Sequence, residues 1–141
     1  MILRRAERTS LNPKLRIAIV DDDNFFGTLV KTRLERNQNI EVSIHNTGEE
    51  MIGELDSEPD IAIIDFSLPD MSGLDILKTI KRKYNEIYSI MLSGSNDLAA
   101  RFELRSCYPN LYIDKNEKTL DFLIQGIREF CLELNRPVRV T

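Results

Sequence analysis

The sequence predicts a three-layer α/β sandwich around a parallel sheet, and three observations predict it. Five short apolar runs occur along the chain: Leu15 to Val20, Glu41 to His45, Ile61 to Ile64, Ser89 to Leu92 and Leu111 to Ile113. Each is followed by a polar turn and then by helical periodicity, the pattern of repeated strand and helix units. The first, third and fourth runs are almost continuously apolar, as expected of strands covered on both faces. Short connections and right-handed crossovers then place helices on both sides of one sheet. With 141 residues and 42% hydrophobic composition, the chain has room for one sizeable core.

The elements follow in order. The first run predicts a buried strand, and Phe26, Leu29, Val30 and Leu34 predict the apolar face of the first helix. Asp23 or Asn24 reads as the cap of that helix. The second run is more polar and predicts an edge strand. Met51, Ile52 and Leu55, after Thr47 and Gly48, predict a short second helix. Leu74, Leu77, Ile80 and Tyr84 share a face of the third, and Leu98 to Leu104 predict the fourth. In the last helix Leu120, Leu123, Ile124, Ile127, Cys131 and Leu134 recur at helical spacing, with Asn135 and Pro137 closing it. The expected organisation is an extension over residues 1–14, one domain over 15–135, and a tail or start of a linker over 136–141.

Composition excludes several classes. Charged residues make up 30% of the chain and are mixed in sign, so the net charge of −4 describes a solvated surface without a basic stripe for nucleic acid. No stretch approaches the ~18 apolar residues of a membrane span, and Met1 to Lys14 lacks an apolar targeting core despite Arg4, Arg5 and Arg8. A cytoplasmic location is the expectation. Cys107 and Cys131 are too few for a disulfide framework, and Cys131 reads as a small hydrophobe of the last helix. His45, the only histidine, has no second ligand at zinc spacing.

In a parallel sheet, ligands bind beyond the carboxyl ends of the strands. Asp21, Asp22 and Asp23 follow the first run, Asp65 the third, Ser93 and Gly94 the fourth, and Lys115 the fifth. Carboxylates gathered at one edge repel, and a divalent cation resolves the repulsion. Mg2+ takes oxygen ligands and suits Asp22 and Asp65, with Asp21 acting through water. Asp65, at the end of a buried strand, is costly there without a partner or a task. An aspartate can attack phosphorus to form an acyl phosphate when cations neutralise the transferring oxygens. Lys115 can supply an ammonium, Ser93 a hydroxyl donor, and Gly94 room for the incoming group.

The ordered combination carries a resemblance. Ile19-Val20-Asp21-Asp22-Asp23, Ile64-Asp65-Phe66-Ser67-Leu68-Pro69-Asp70-Met71-Ser72-Gly73, Met91-Leu92-Ser93-Gly94 and Tyr112-Ile113-Asp114-Lys115 together resemble the receiver domain of two-component response regulators. The resemblance runs from about Leu15 to Asn135. It implies a flavodoxin-like five-stranded parallel sheet in the order 2-1-3-4-5, an order for which a member of this family is a standard example. It also implies Mg2+ held by Asp21, Asp22, Asp65 and the backbone carbonyl of Ser67. Asp65 becomes the phosphoacceptor, Ser93 the switch hydroxyl, Lys115 the pocket lysine and Tyr112 the aromatic that changes rotamer. Within the Leu68 to Gly73 segment, Pro69 stiffens the loop and Gly73 permits a tight turn.

The implied partners are a sensor histidine kinase or phosphotransfer protein and a downstream protein or fused effector. The implied output surface is the face of the fourth helix, fifth strand and last helix, around Arg101, Glu103 and Lys118, which a homodimer can also use. Such a chain is a switch that assists only its own phosphorylation and dephosphorylation, and not an enzyme in the ordinary sense. Two alternatives share parts of the pattern. A haloacid-dehalogenase-like phosphatase would use Asp21-Asp22-Asp23 as its Asp-x-Asp motif, and a pseudo-receiver scaffold would never be phosphorylated. The chain departs from the family in having Asn116 where proline usually follows the lysine. A non-proline cis bond costs about 2.5–4 kcal/mol, so a trans Lys115–Asn116 bond is expected. The stretch Arg105 to Asn110 lacks the Gly-Ala usual before the fifth strand. Ser67 and Ser95, two positions beyond Asp65 and Ser93, are small and neither acidic nor amide-bearing, which predicts slow unassisted dephosphorylation.

Overall fold

The computed structural model describes residues 14–94 and 98–134. Five strands alternate with five helices: β1 (Leu15–Val20), α1 (Asn24–Leu34), β2 (Ile40–His45), α2 (Gly48–Leu55), β3 (Ile61–Asp65), α3 (Gly73–Lys83), β4 (Tyr88–Gly94), α4 (Leu98–Glu103), β5 (Leu111–Lys115) and α5 (Thr119–Leu134). All strands are parallel and stand in the order β2-β1-β3-β4-β5. The fold class and strand order are those expected.

Burial explains why the runs become strands. Every residue of β3 is buried, and β1 has only Arg16 partly exposed. β2, at one edge, buries only Val42. Its polar composition is the signature of a strand paired on one side and half-covered. Two apolar layers result. One face of the sheet packs Ala18, Val20, Ala62, Ile64 and Met91 against α2 and α3, through Met51, Leu55, Leu74, Leu77 and Ile80. The other packs Ile17, Ile19, Ile61, Ile63, Ile90 and Leu92 against α1 and α5, through Val30, Leu34, Leu123, Ile127 and Phe130. Alternation along each strand divides the side chains between the two faces.

Two sequence expectations are corrected. Leu29 is 42% exposed, because the buried stripe of α1 is Gly27, Val30 and Leu34 and an i−1 neighbour of Val30 points away from it. Asp65, Ser93, Gly94 and Lys115, expected to follow their strands, instead lie within the ends of β3, β4 and β5. Asn135 and Pro137, the expected helix stop, lie outside the described residues, as do residues 1–13.

The strand ends need polar partners as well. Asp60, buried just before β3, accepts the Arg16 backbone N–H at 2.9 Å. Before β5, Asn110 Oδ1 accepts both the Ser89 amide and its hydroxyl, at 2.8 and 3.0 Å, and the Asn110 amide returns a bond to Ser89 Oγ. This side-chain clasp stands where the Gly-Ala pair was missed.

Candidate phosphoacceptor site

β1, β3 and β5 all end at the carboxyl edge of the sheet, and their register brings the charged residues together. Asp21 extends β1 and donates its backbone N–H to the His45 carbonyl, so its position is set by the sheet. Its Oδ1 accepts the Asp23 amide at 2.9 Å, which fixes the rotamer. Asp23 itself faces solvent and caps α1, with Oδ1 accepting the amides of Phe25 and Phe26. Of the three consecutive aspartates, Asp21 is buried and Asp22 and Asp23 are exposed.

Asp21, Asp22 and Asp65 offer carboxylate oxygens that all lie within 4.8 Å of one another. Lys115 reaches into the group from β5, with Nζ 3.0 Å from Asp21 Oδ2 and 3.2 Å from Asp65 Oδ1. Asp65 is only 5% exposed. Burial, and then the neighbouring Asp21 charge, push its carboxyl up to about 6 against the opposing pull of Lys115 and the Ser67 backbone N–H. Burial alone would lower the Lys115 ammonium, but the two carboxylates outweigh it and hold the lysine above its ordinary value. The ring of Phe26 lies 5.8 Å from Lys115 Nζ and covers the ammonium on one side.

Three carboxylates face one ammonium, so the cluster carries uncompensated negative charge in a largely buried place. An all-oxygen donor set of this kind fits a hard divalent cation such as Mg2+. Among the described residues this is the one group of three or more potential ligands that meets at a point. His45 is not part of it, and lies between Ser43 Oγ at 3.0 Å and Glu54 at 3.8 Å.

Ser93 is 1% exposed at the end of β4, one residue beyond Leu92, the register partner of Asp65. Its hydroxyl donates to the carbonyl of its own neighbour Gly94 at 3.2 Å. The Tyr112 hydroxyl is buried and makes no hydrogen bond of normal geometry. The phenol faces Arg101, and together with Asp114 it raises the guanidinium above its ordinary value. Arg101 bridges to Asp114 at 3.2 Å, joining α4 to β5 one residue before Lys115. The Lys115–Asn116 bond is trans. Proline's role in that turn passes to a local network, in which Thr119 Oγ1 accepts the Asn116 amide at 2.7 Å and donates to the Asp114 carbonyl.

The family model for the response regulator receiver domain matches residues 17–127. The chain belongs to that family. A receiver domain protein (CheY-like) from Methanospirillum hungatei superposes with a TM-score of 0.77 at 28% identity, over 87% of this chain and 98% of that one. A protein-glutamate methylesterase/protein-glutamine glutaminase of Trichodesmium erythraeum is 29% identical over 92% of the chain and 40% of its own length. The transcriptional regulatory protein TrcR of Mycobacterium tuberculosis is 32% identical over 62% of the chain and 33% of its own length. The receiver chain thus spans less than half the length of these curated relatives. Receiver domains bind Mg2+ through acidic residues and work with histidine kinases and effector domains. With residues 17–127, from within β1 to within α5, assigned to this family, the phosphatase alternative falls away; Asp23, its expected second aspartate, is engaged in capping α1.

Phe26 beside Lys115 was missed by sequence reading, because a phenylalanine on a helix reads as core.

Proposed function

We propose that Asp65 is the phosphoacceptor of this receiver domain, taking a phosphoryl group from a sensor histidine kinase or phosphotransfer protein. The observation that carries the reading is the convergence of Asp21, Asp22 and Asp65 on one point, with Lys115 bridging two of them. Asp21, Asp22, Asp65 and the Ser67 backbone carbonyl would hold Mg2+, which when bound supplies charge neutralisation for the phosphoryl oxygens. An Asp65 oxygen attacks the phosphorus, the P–O or P–N bond of the donor breaks, and the leaving group departs with the electron pair. Lys115 and Ser93 hold the phosphoryl oxygens by charge and hydrogen bond.

The switch follows from the same groups. Lys115 and Ser93, drawn to the phosphoryl group, leave their present partners, and the population shifts toward a form in which Tyr112 packs differently. Tyr112 has only its approach to Arg101 to give up, with no hydrogen bond of normal geometry among the described residues. The readout face is α4, β5 and α5 around Arg101, Glu103 and Lys118, which a downstream protein, a fused effector or a second copy would meet. The proposed functional unit is residues 15–135, and its catalysis is confined to its own phosphorylation and dephosphorylation. A cytoplasmic location suits this role; among the described residues no helix is long and apolar enough to cross a membrane.

Incubation with Mg2+ and a small phosphodonor, followed by intact mass, tests the reading. Wild type is expected to gain one phosphoryl group and Asp65→Asn none; an equal gain in both would reject Asp65. Exposed Ser67 offers no acid or amide to orient a hydrolytic water. Ser95 lies outside the described residues. The adduct should therefore persist well beyond seconds at neutral pH, and decay within seconds in a time course of intact mass would contradict that expectation.

A further inference from the structure

The loop between β3 and α3 carries Ser67, whose amide donates to Asp65, and it is fastened at two places. At its base the Gly73 amide donates to the Phe66 carbonyl at 2.7 Å, and Ser67 and Ser72 form an antiparallel bridge. At its tip Asp70 reaches across to another element. Its Oδ1 accepts the Gly48 amide at 2.8 Å and its Oδ2 the Glu49 amide at 3.0 Å, both in the first turn of α2. Those two amides have no intrahelical acceptor, since the first turn of a helix leaves its N–H groups unpaired. Thr47 Oγ1 takes the next one, from Glu50. The helix is thus capped jointly by its own threonine and by a residue 22 positions away.

Two further observations show that the tip is seated. A Cβ on Gly48 would meet the Met71 Cγ and Sδ closer than 3.0 Å, so the backbone of α2 lies directly against the residue after Asp70. The two amide bonds also hold the Asp70 carboxyl below the ordinary carboxylate range, as they do only when they favour the charged form.

We propose that Asp70 is a positioning residue of the phosphoacceptor site, locking the Ser67 loop to the N-terminus of α2. The base contacts fix the shape of the loop, and the tip contacts fix where it points. Without the tip, the loop pivots about its base. Ser67 belongs to this closed loop and turns with it as a unit on the end of β3, so its amide moves relative to Asp65 and its carbonyl moves relative to the cation position. Partners of this kind, acting on a ligand and not on the metal, typically change metal affinity by about 10-fold or more when removed. The proposal rests on the reading of Asp65 and Ser67 as site residues.

Mg2+ affinity by isothermal titration and the rate of adduct formation from a small phosphodonor test it, on wild type, Asp70→Ala, Asp70→Asn and Thr47→Ala. Asp70→Ala should bind Mg2+ roughly 10-fold more weakly and form adduct correspondingly slowly. Asp70→Asn keeps one acceptor oxygen and should fall between. Thr47→Ala removes a cap of the same helix without touching the loop, and should lower the unfolding midpoint while leaving Mg2+ affinity and rate unchanged. If Asp70→Ala matches wild type, or Thr47→Ala weakens Mg2+ binding as much, Asp70 is a helix cap only and the proposal fails. A wild type that neither binds Mg2+ nor forms adduct would instead reject the site reading itself.

Discussion

Gly73→Ala is expected to destabilise the fold by about 1–3 kcal/mol and to disable the site. Gly73 is the first residue of α3, where replacing glycine by alanine would ordinarily gain up to about 1 kcal/mol of helix propensity. Sterics reverse the sign. A Cβ there would lie 2.9 Å from the Phe66 Cα and closer still to the carbonyl oxygen of Asp65, both backbone atoms at the strand end that carries the Asp65 carboxyl. Backbone cannot rotate away as a side chain can, so either the helix start or the Asp65 to Phe66 segment must move. Gly53→Ala in α2 is the matched control: nothing lies within 4 Å of its Cβ, and it should stabilise by about 0.5–1 kcal/mol. Urea unfolding midpoints for the two variants should therefore shift in opposite directions. A Gly73→Ala variant as stable as wild type would show that the β3 to α3 loop yields easily.

Asp65→Asn should make the metal-free protein more stable at pH 7.5, while abolishing phosphorylation. The carboxyl of Asp65 titrates at about 6 in the fold against an ordinary value of 3.8, raised first by burial and then by Asp21. A group raised on folding contributes stability that is complete below its unfolded value and is lost as pH rises through its folded one. Metal-free wild type should thus lose stability between about pH 4 and pH 6 on this account, and the neutral amide should not. Full shielding would make the effect about 3 kcal/mol, and screening through the open side of the site reduces it to about 1–2 kcal/mol. Mg2+ should reverse the ranking, since a ligand of the native state alone stabilises it and the amide is the poorer ligand. Thermal unfolding across pH, with chelator and with Mg2+, reads both effects. Destabilisation by Asp65→Asn in chelator would contradict the view that Asp65 is strained without a cation.

Much of the fold was legible because the strands of a parallel sheet covered on both faces are continuously apolar, so β1, β3 and β4 stand out at once. The β2 edge was legible from its polarity. Strand order was not, since apolar periodicity says which face is buried but not which neighbour is paired; it came with the resemblance. Leu29 shows the limit of a helical wheel, where one residue to the side of the stripe is already solvent-facing. At the site, Asp21, Asp65 and Lys115 were legible because each ends an apolar strand, where a charge needs a reason. Asp70 was not, because its partners are backbone amides of an element more than 20 residues away, and amides leave no mark in a sequence. The Asn110 clasp on Ser89 was hidden for the same reason.

The central claim is that this pocket takes a phosphoryl group on Asp65 and on no other aspartate. Three carboxylates lie within 4.8 Å of one another there, so a mass gain alone does not say which one reacted. Treating the adduct with borohydride reduces an aspartyl phosphate to homoserine, and peptide mapping then locates the reduced residue among Asp21, Asp22 and Asp65. Homoserine at position 65 alone, dependent on Mg2+, is the predicted result. Homoserine at Asp21 or Asp22, or none at all from a protein that binds Mg2+, would contradict it.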